Sequence, residues 1–269
     1  MSDRSREILS SVPRESLPRH VAVIMDGNGR WARQRSQLRV FGHKKGAARV
    51  RDIVTMSCEL GIEALTLYAF SDENWGRPAT EVAMIMKLLG QYLNKQREEL
   101  RQNNVRFQVI GDISRVPDGV RKVIQETTRY LAENTGLTLT LAVSYGGRAE
   151  LVRATREIAA MAAEGSISLD QIDASLIEKN LYTAGLPEVD LVIRTSGELR
   201  VSNFLLWQIA YAELYFSPVF WPDFTTDVYA DALIDYLRRR RRFGLTDDQI
   251  PSEPVTGLCP QISQELSPC

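Results

Sequence analysis

Residues 20–35, HVAVIMDGNGRWARQR, set a carboxylate and two glycines directly behind an apolar, β-favouring run. Asp26 opens the loop. Gly27 and Gly29 let the backbone approach a ligand closely, and the N–H groups of Gly27, Asn28, Gly29 and Arg30 can form a concave anion site. The stretch matches neither GxxxxGK[ST] nor GxGxxG, and a tight strand-to-helix turn explains DGNG alone equally well. The neighbours favour a ligand: Arg30, Arg39, His43 and Lys44 crowd one short segment of a chain whose formal net charge is −1. A carboxylate beside an anion pocket is repulsive unless a cation bridges the two. Mg2+ is the natural bridge, because it is held by one or two carboxylates plus substrate phosphate oxygens. The loop therefore predicts a phosphate or diphosphate ligand carrying Mg2+, with Asp26 as the metal-binding group.

A second group of cations follows residue 190. Arg194 ends an apolar run, where a guanidinium needs a ligand or a partner, and Arg200 and Ser202 lie just beyond it in TSGELRVS. Glu213, in AYAELYF, is a carboxylate in an apolar stretch and is costly there unless paired or liganded. The run from Arg238 to Arg242 has no aromatic platform beside it, and a near-neutral chain has no general mandate to bind nucleic acid; it reads as a helix end favoured by the C-terminal dipole.

These residues must be held by elements that the pattern also predicts. The chain has 269 residues, 44% hydrophobic and 25% charged, enough for a sizeable core. Six β-like runs stand at 20–25, 64–70, 105–111, 137–145, 190–195 and 213–217, several almost continuously apolar, as in strands covered on both faces. Helix-like stretches at 43–60, 80–102, 117–133, 148–164, 173–181, 203–211 and 226–242 separate most of them. Gly61 marks one helix end, Pro117 a first turn, and Asn134 with Gly136 a helix close. Alternation of this kind predicts one α/β domain with a central, mostly parallel six-stranded sheet flanked by helices, with ligands at the carboxyl ends of the strands. The predicted layout is an N-terminal segment over 1–17, a catalytic domain over 18–244 and a polar, aperiodic tail over 245–269. Three cysteines, two of them in the tail, suit a reducing compartment, and no stretch has the apolar length of a membrane span, so a soluble, cytoplasmic protein is expected.

Five blocks, HVAVIMDGNGRWA with Gly42-His43, TLYAFSDENWGRP, SYGGR, and DLVIRTSGELRVSNFLLWQIAYAELYF, occur in the order found in the cis-prenyltransferases, which the chain resembles over about residues 18–244. The resemblance implies a homodimeric α/β fold with a hydrophobic tunnel between sheet and helices. It implies Mg2+-dependent addition of isopentenyl diphosphate, in cis, to an allylic diphosphate such as farnesyl diphosphate, with transient membrane-surface contact for release of the product. By resemblance, Asp26 positions the metal, and the 27–30 backbone with Arg39 and His43 cradles the allylic diphosphate; His43 can also move a proton. Arg194, Arg200 and Ser202, with Arg77, would bind isopentenyl diphosphate, and Ser71 and Asn74 would assist proton removal. Trp31 and Trp75 read first as packing or lid residues, with substrate binding as the alternative. Glu81 is either an acid at a helix start or a lid residue. Glu213 would complete the metal environment at the dimer interface, Arg242 and Gly244 would close over the partner's site, and Ala69, Leu137 and Leu139 would line the tunnel. The family often has Ser or Thr, asparagine, and a polar residue where this chain has Asp72, Ser144 and Leu199. A non-catalytic partner subunit would lack the loop aspartate. A helical trans-type enzyme would need a DDxxD site, and the only adjacent aspartates, Asp247 and Asp248, lie in the tail.

Overall fold

The computed structural model describes residues 3–239. All six expected strands form, as β1 (His20–Ile24), β2 (Ala64–Ser71), β3 (Arg106–Ile110), β4 (Thr138–Tyr145), β5 (Leu191–Arg194) and β6 (Glu213–Phe216). They make one sheet in the order β3-β4-β2-β1-β5-β6, and every neighbouring pair is parallel. Central β1 is buried at all five residues, which is why it is apolar without alternation after His20, whereas edge strand β6 is only half-buried.

Helices cover both faces: α1 (Asp3–Ser11), α2 (Asn28–Gln34), α3 (Arg39–Leu60), α4 (Ala79–Gln102), α5 (Asp118–Tyr130), α6 (Gly147–Ala163), α7 (Ala174–Lys179) and α8 (Thr226–Leu237). The strand period of two sorts the side chains. Val21, Val23, Leu65, Leu67, Leu139 and Leu141 join the larger core with α3, α4, α5 and α8, while Ala22, Ile24, Tyr68 and Ala142 face a smaller core with Phe204 and Leu205.

Three expectations are corrected. The stretch read as a loop up to residue 43 contains α2, and α3 starts at Arg39. The expected helix over 203–211 is a series of turns, because Ser202, Asn203 and Leu205 hold φ of 47°, 61° and 46°. Its apolar residues, Phe204 and Leu205, are buried under the sheet all the same. Helix α5 ends at Tyr130, not 133, and Asn134 and Gly136 fasten the following turn to the residues just before β3 by bonds to the Val105 and Asn104 carbonyls. Gly61 ends α3 as predicted. Arg242, Gly244 and the tail from residue 245 lie outside the described residues.

Two glycines fix where α2 sits. Gly27 caps it at φ 99°, and a β-carbon there would stand 2.6 Å from the Phe220 ring. A β-carbon at Gly42 would stand 1.9 Å from the Asn28 carbonyl oxygen, so α3 crosses the start of α2 in backbone contact. We expect Gly42→Ala to destabilise the protein by about 1–3 kcal/mol through overpacking. It should also weaken diphosphate binding, because the displaced group is the first turn of α2. Thermal unfolding and a pyrophosphate titration of that variant check both effects.

Candidate active site

The sheet reverses its strand order around β1, with β2 on one side and β5 on the other, and a cleft opens beyond the carboxyl ends of these strands. Register aligns Ile24 with Arg194. Asp26, two residues past Ile24, therefore meets the arginine that ends β5. Arg194 is only 3% exposed. It donates to Asp26 Oδ2 at 2.8 Å, to Ser202 Oγ at 2.7 Å and to the Arg200 carbonyl at 2.5 Å. Its Nε is buried without an acceptor among the described residues, leaving one donor for a bound anion. Thr195 clamps the aspartate backbone: its hydroxyl accepts from Asp26 N at 2.8 Å and donates to Asp26 O at 2.7 Å. Burial alone would raise the Asp26 carboxyl. The bonds from Arg194 and from Gly27 N, with the charges of Arg194 and Arg30, outweigh it and hold the group below the usual carboxylate range.

The cleft has a volume of about 710 Å3 and two kinds of wall. Five arginines, Arg30, Arg39, Arg77, Arg194 and Arg200, line its polar part together with His43, Ser71, Asn74, Ser202 and the 27–30 backbone. The first-turn N–H groups of α2 belong to this wall; as in any helix they have no carbonyl partner four residues back within it. The apolar part is built from Val50 on α3, Ile85, Leu88, Leu89 and Tyr92 on α4, and Ala69 and Leu141 on the sheet.

Carboxylates keep the arginines in place. Glu81 receives Arg39 at 2.9 Å and Arg77 at 3.1 Å, with His43 Nε2 at 3.6 Å. It is a first-turn acid of α4 and also the hub of one cationic group. Burial opposes its charge, but Arg39, Arg77 and His43 hold its carboxyl low. Glu198 ties Arg30 at 2.6 Å to Arg200. Burial, then the Arg77 charge, lowers the His43 pKa below its usual 6.5, and Glu81 only partly offsets this.

Other expected site residues fall elsewhere. Trp31 is buried in α2, stacked with the Arg35 guanidinium 4.3 Å from its ring, and Trp75 packs on Phe70 while donating to Ser144 Oγ at 2.8 Å; neither lines the cleft. Within one chain both side chains pack against neighbours instead of lining the cleft. Of the tunnel residues only Ala69 lines the cleft. Leu139 of β4 and Leu137 just before it point to the same side as Leu141 but are buried in the core and do not line the cleft. Ser71 and Asn74 do reach the cleft and also cap the 3-10 turn Asp72–Gly76 reciprocally. Glu213 is level with Leu191, and so with Val21, at the opposite end of the strands, about 16 Å along them from Asp26. There it pairs with Arg239 at 2.9 Å, so within one chain the structure does not bring it to the Asp26 metal environment. Asp72 binds Arg115 at 2.8 Å away from the cleft wall, and Leu199 is 76% exposed.

Sequence reasoning missed Asn203 and Glu73. Asn203 lines the cleft, donates to Glu73 Oε1 at 2.9 Å, and caps α6 by accepting from Gly147 N and Arg148 N. The only sequence signal was an Asn beside Ser202, obscured by the apolar run behind it.

The donor set suits a metal that arrives with its substrate. No cluster of three or more His, Cys, Asp or Glu able to hold a metal exists among the described residues, so a closed all-protein cage is not present. One carboxylate, Asp26, and the buried, unpartnered Asn28 Oδ1 border the same arginine-lined cleft. That arrangement fits Mg2+, which keeps waters and shares phosphate oxygens.

Comparison with known proteins agrees with this geometry. The family model Prenyltransf, described as "Putative undecaprenyl diphosphate synthase", matches residues 24–244. The ditrans,polycis-undecaprenyl-diphosphate synthase ((2E,6E)-farnesyl-diphosphate specific) of Vibrio vulnificus (strain YJ016) is 48% identical over 88% of this chain and 94% of its own length. An isoprenyl transferase of Rhodopirellula baltica is 51% identical over 88% and 98%. The crystal structure of lavandulyl diphosphate synthase from Lavandula x intermedia, in complex with dimethylallyl diphosphate, superposes with a TM-score of 0.83 at 38% identity, covering 86% of this chain and 99% of that one. Fold and site together define a cis-prenyltransferase, a transferase. The chain belongs to the undecaprenyl diphosphate synthase family.

Two outcomes are expected. Asp26→Ala should lower stability by about 1–3 kcal/mol, because Arg194 loses its carboxylate partner, while the fold persists and condensation falls by about 10²–10³ or more. Circular dichroism with single-turnover assays checks both. The depressed pKa makes His43 neutral at pH 7, and the stability this contributes is complete above pH 6.5 and lost as the pH falls through the folded value. Diphosphate in the cleft should raise that pKa. With only two histidines in the sequence, NMR titration with and without pyrophosphate should show His43 moving up and buried His20, bonded to Thr66 and the Pro187 carbonyl, remaining neutral.

Proposed function

We propose that the protein condenses isopentenyl diphosphate, repeatedly and in cis, onto farnesyl diphosphate, building a long polyprenyl diphosphate of undecaprenyl length that carries cell-wall sugars. One observation carries this reading: an apolar trough between α3, α4 and the sheet runs directly into a rim of five arginines. A diphosphate with a hydrocarbon tail has that same division. The Vibrio relative's farnesyl specificity and the dimethylallyl diphosphate of the plant structure point to the same chemical class.

The two cationic groups suit two diphosphates. Arg39, His43, Arg30 and the α2 first turn take the allylic diphosphate, whose chain lies along Ala69, Ile85, Leu88 and Leu89. Arg194, Arg200 and Ser202 take isopentenyl diphosphate, and Arg77, which shares Glu81 with Arg39, would reach it from the other group across the cleft; Arg194 offers its free Nε–H. In the reaction the allylic C1–O bond breaks and its electron pair leaves with the diphosphate. C1 then joins C4 of isopentenyl diphosphate, and a C2 proton departs to re-form a double bond, beside Ser71 and Asn74. Fixed donors aimed at the growing leaving-group charge are the largest rate contribution available. Mg2+, held between Asp26 and diphosphate oxygens, would supply further neutralisation of that charge.

The chain acts as a cytoplasmic homodimer. The half-buried edge strand β6 supports that assembly, and Glu213 would have to reach a metal through it. No helix among the described residues is long and apolar enough to cross a membrane.

Incubation with farnesyl diphosphate, labelled isopentenyl diphosphate and Mg2+ should give a ladder of products ending near eleven isoprene units, absent without metal. No incorporation by folded protein would reject the proposal. Ala69→Leu, which adds bulk to the trough wall, should shift the ladder to shorter products.

A further inference from the structure

Residues 27–51 contain eight arginines and lysines and no acidic residue, in a chain whose net charge is −1. Five of the eight have a carboxylate: Arg30, Arg35, Arg39, Arg49 and Arg51 pair with Glu198, Asp223, Glu81, Asp52 and Glu99. Arg33, Lys44 and Lys45 are exposed and make no ion pair among the described residues. Between them stand Leu38 at 72% and Phe41 at 50% exposure, at the end of an exposed run over 33–39.

Neither local structure nor packing explains the two apolar residues. Leu38 is the N-cap of α3, where Ser, Thr, Asp or Asn would satisfy a backbone donor, and it makes no cap bond. Phe41, Lys44 and Lys45 share one face of α3 at i, i+3 and i+4, opposite the buried Gly42, Gly46 and Val50. The α2–α3 corner therefore presents apolar side chains ringed by unpaired cations. Arg39 and His43, in the same stretch, line the cleft, so the patch borders its mouth.

We propose that this corner docks on an anionic lipid surface, with Leu38 and Phe41 entering the interface and Arg33, Lys44 and Lys45 among the headgroups. Charge complementarity selects that occupant. A short amphipathic patch combined with unpaired basic residues is the combination that holds a protein reversibly at such a surface. The physiological reason rests on the function proposed above, since a polyprenyl product must pass from the cleft to a bilayer. The docking itself does not require catalysis.

The test is sedimentation of the full chain, without substrates, against vesicles of phosphatidylglycerol with phosphatidylcholine and of phosphatidylcholine alone. Binding should favour the anionic vesicles and weaken with salt. Lys44→Gln with Lys45→Gln should lower vesicle affinity about 30-fold, and Leu38→Ser with Phe41→Ser should abolish it. Unchanged melting and unchanged condensation in detergent would show that the variants are folded. Equal binding of wild type and variants, which would move the contact to another surface such as the 238–242 arginine run, overturns the proposal. So does no preference for anionic lipid, or a change of oligomeric state in the Leu38→Ser, Phe41→Ser protein, which would assign the patch to a second copy. An inactive enzyme that still binds vesicles through this corner would reject the proposed activity and leave the docking intact.

Discussion

A guanidinium at the end of a buried strand must be neutralised, and the site is organised around how Arg194 meets that requirement. Its side chain has almost no exposure, and an unpaired charge there would be strongly destabilising. Parallel register sets the end of β1 beside the end of β5, which places Asp26 within 2.8 Å. The chain after β5 then folds back so that the Arg200 carbonyl and Ser202 hydroxyl accept from its Nη1, while its Nε–H keeps no acceptor among the described residues. That return path requires positive φ at Ser196, Ser202, Asn203 and Leu205, a concentration of unfavourable backbone of the kind found at functional sites. One buried charge thus accounts for the placement of Asp26, the shape of the 196–205 loop and the loss of the helix expected there.

Around this pair the protein keeps its cations ordered. Glu81 and Glu198 each hold two arginines, so the rim is preorganised by internal anions that a diphosphate can replace. The trough below is open because of how the helices pack. Gly42 and Gly46 bring α3 down onto α2 and the Trp221 ring, while α4 stands off far enough that Ile85, Leu88 and Leu89 face open space.

Much of this was legible in the sequence because the central strands are buried on both faces and read as unbroken apolar runs. Arg194 stood out at the end of one of them, and the acid-free cations after Asp26 marked the other half of the site. What escaped notice has physical causes. Two glycines in four residues signal a loop, yet Gly27 serves as a helix cap and α2 follows it immediately. The apolar period of residues 203–211 mimics a helix, but those side chains are buried from a turn-rich path that capping of α6 by Asn203 helps to fix. Trp31 and Trp75 stand beside the site in sequence, yet each ring packs on a neighbouring side chain and neither lines the cleft. Glu213 was correctly read as needing a partner, and its partner is Arg239, which local spacing could not reveal.

The central claim is that one cleft divides its work between an arginine rim and an apolar trough. A crystal structure with a non-hydrolysable farnesyl thiolodiphosphate and Mg2+ tests it most directly. The account predicts the diphosphate against Arg39, Arg30 and the first turn of α2, the metal on Asp26, and the hydrocarbon along Ala69, Ile85, Leu88 and Leu89. A hydrocarbon lying outside the α3–α4 trough, or a diphosphate bound away from these arginines, would contradict it.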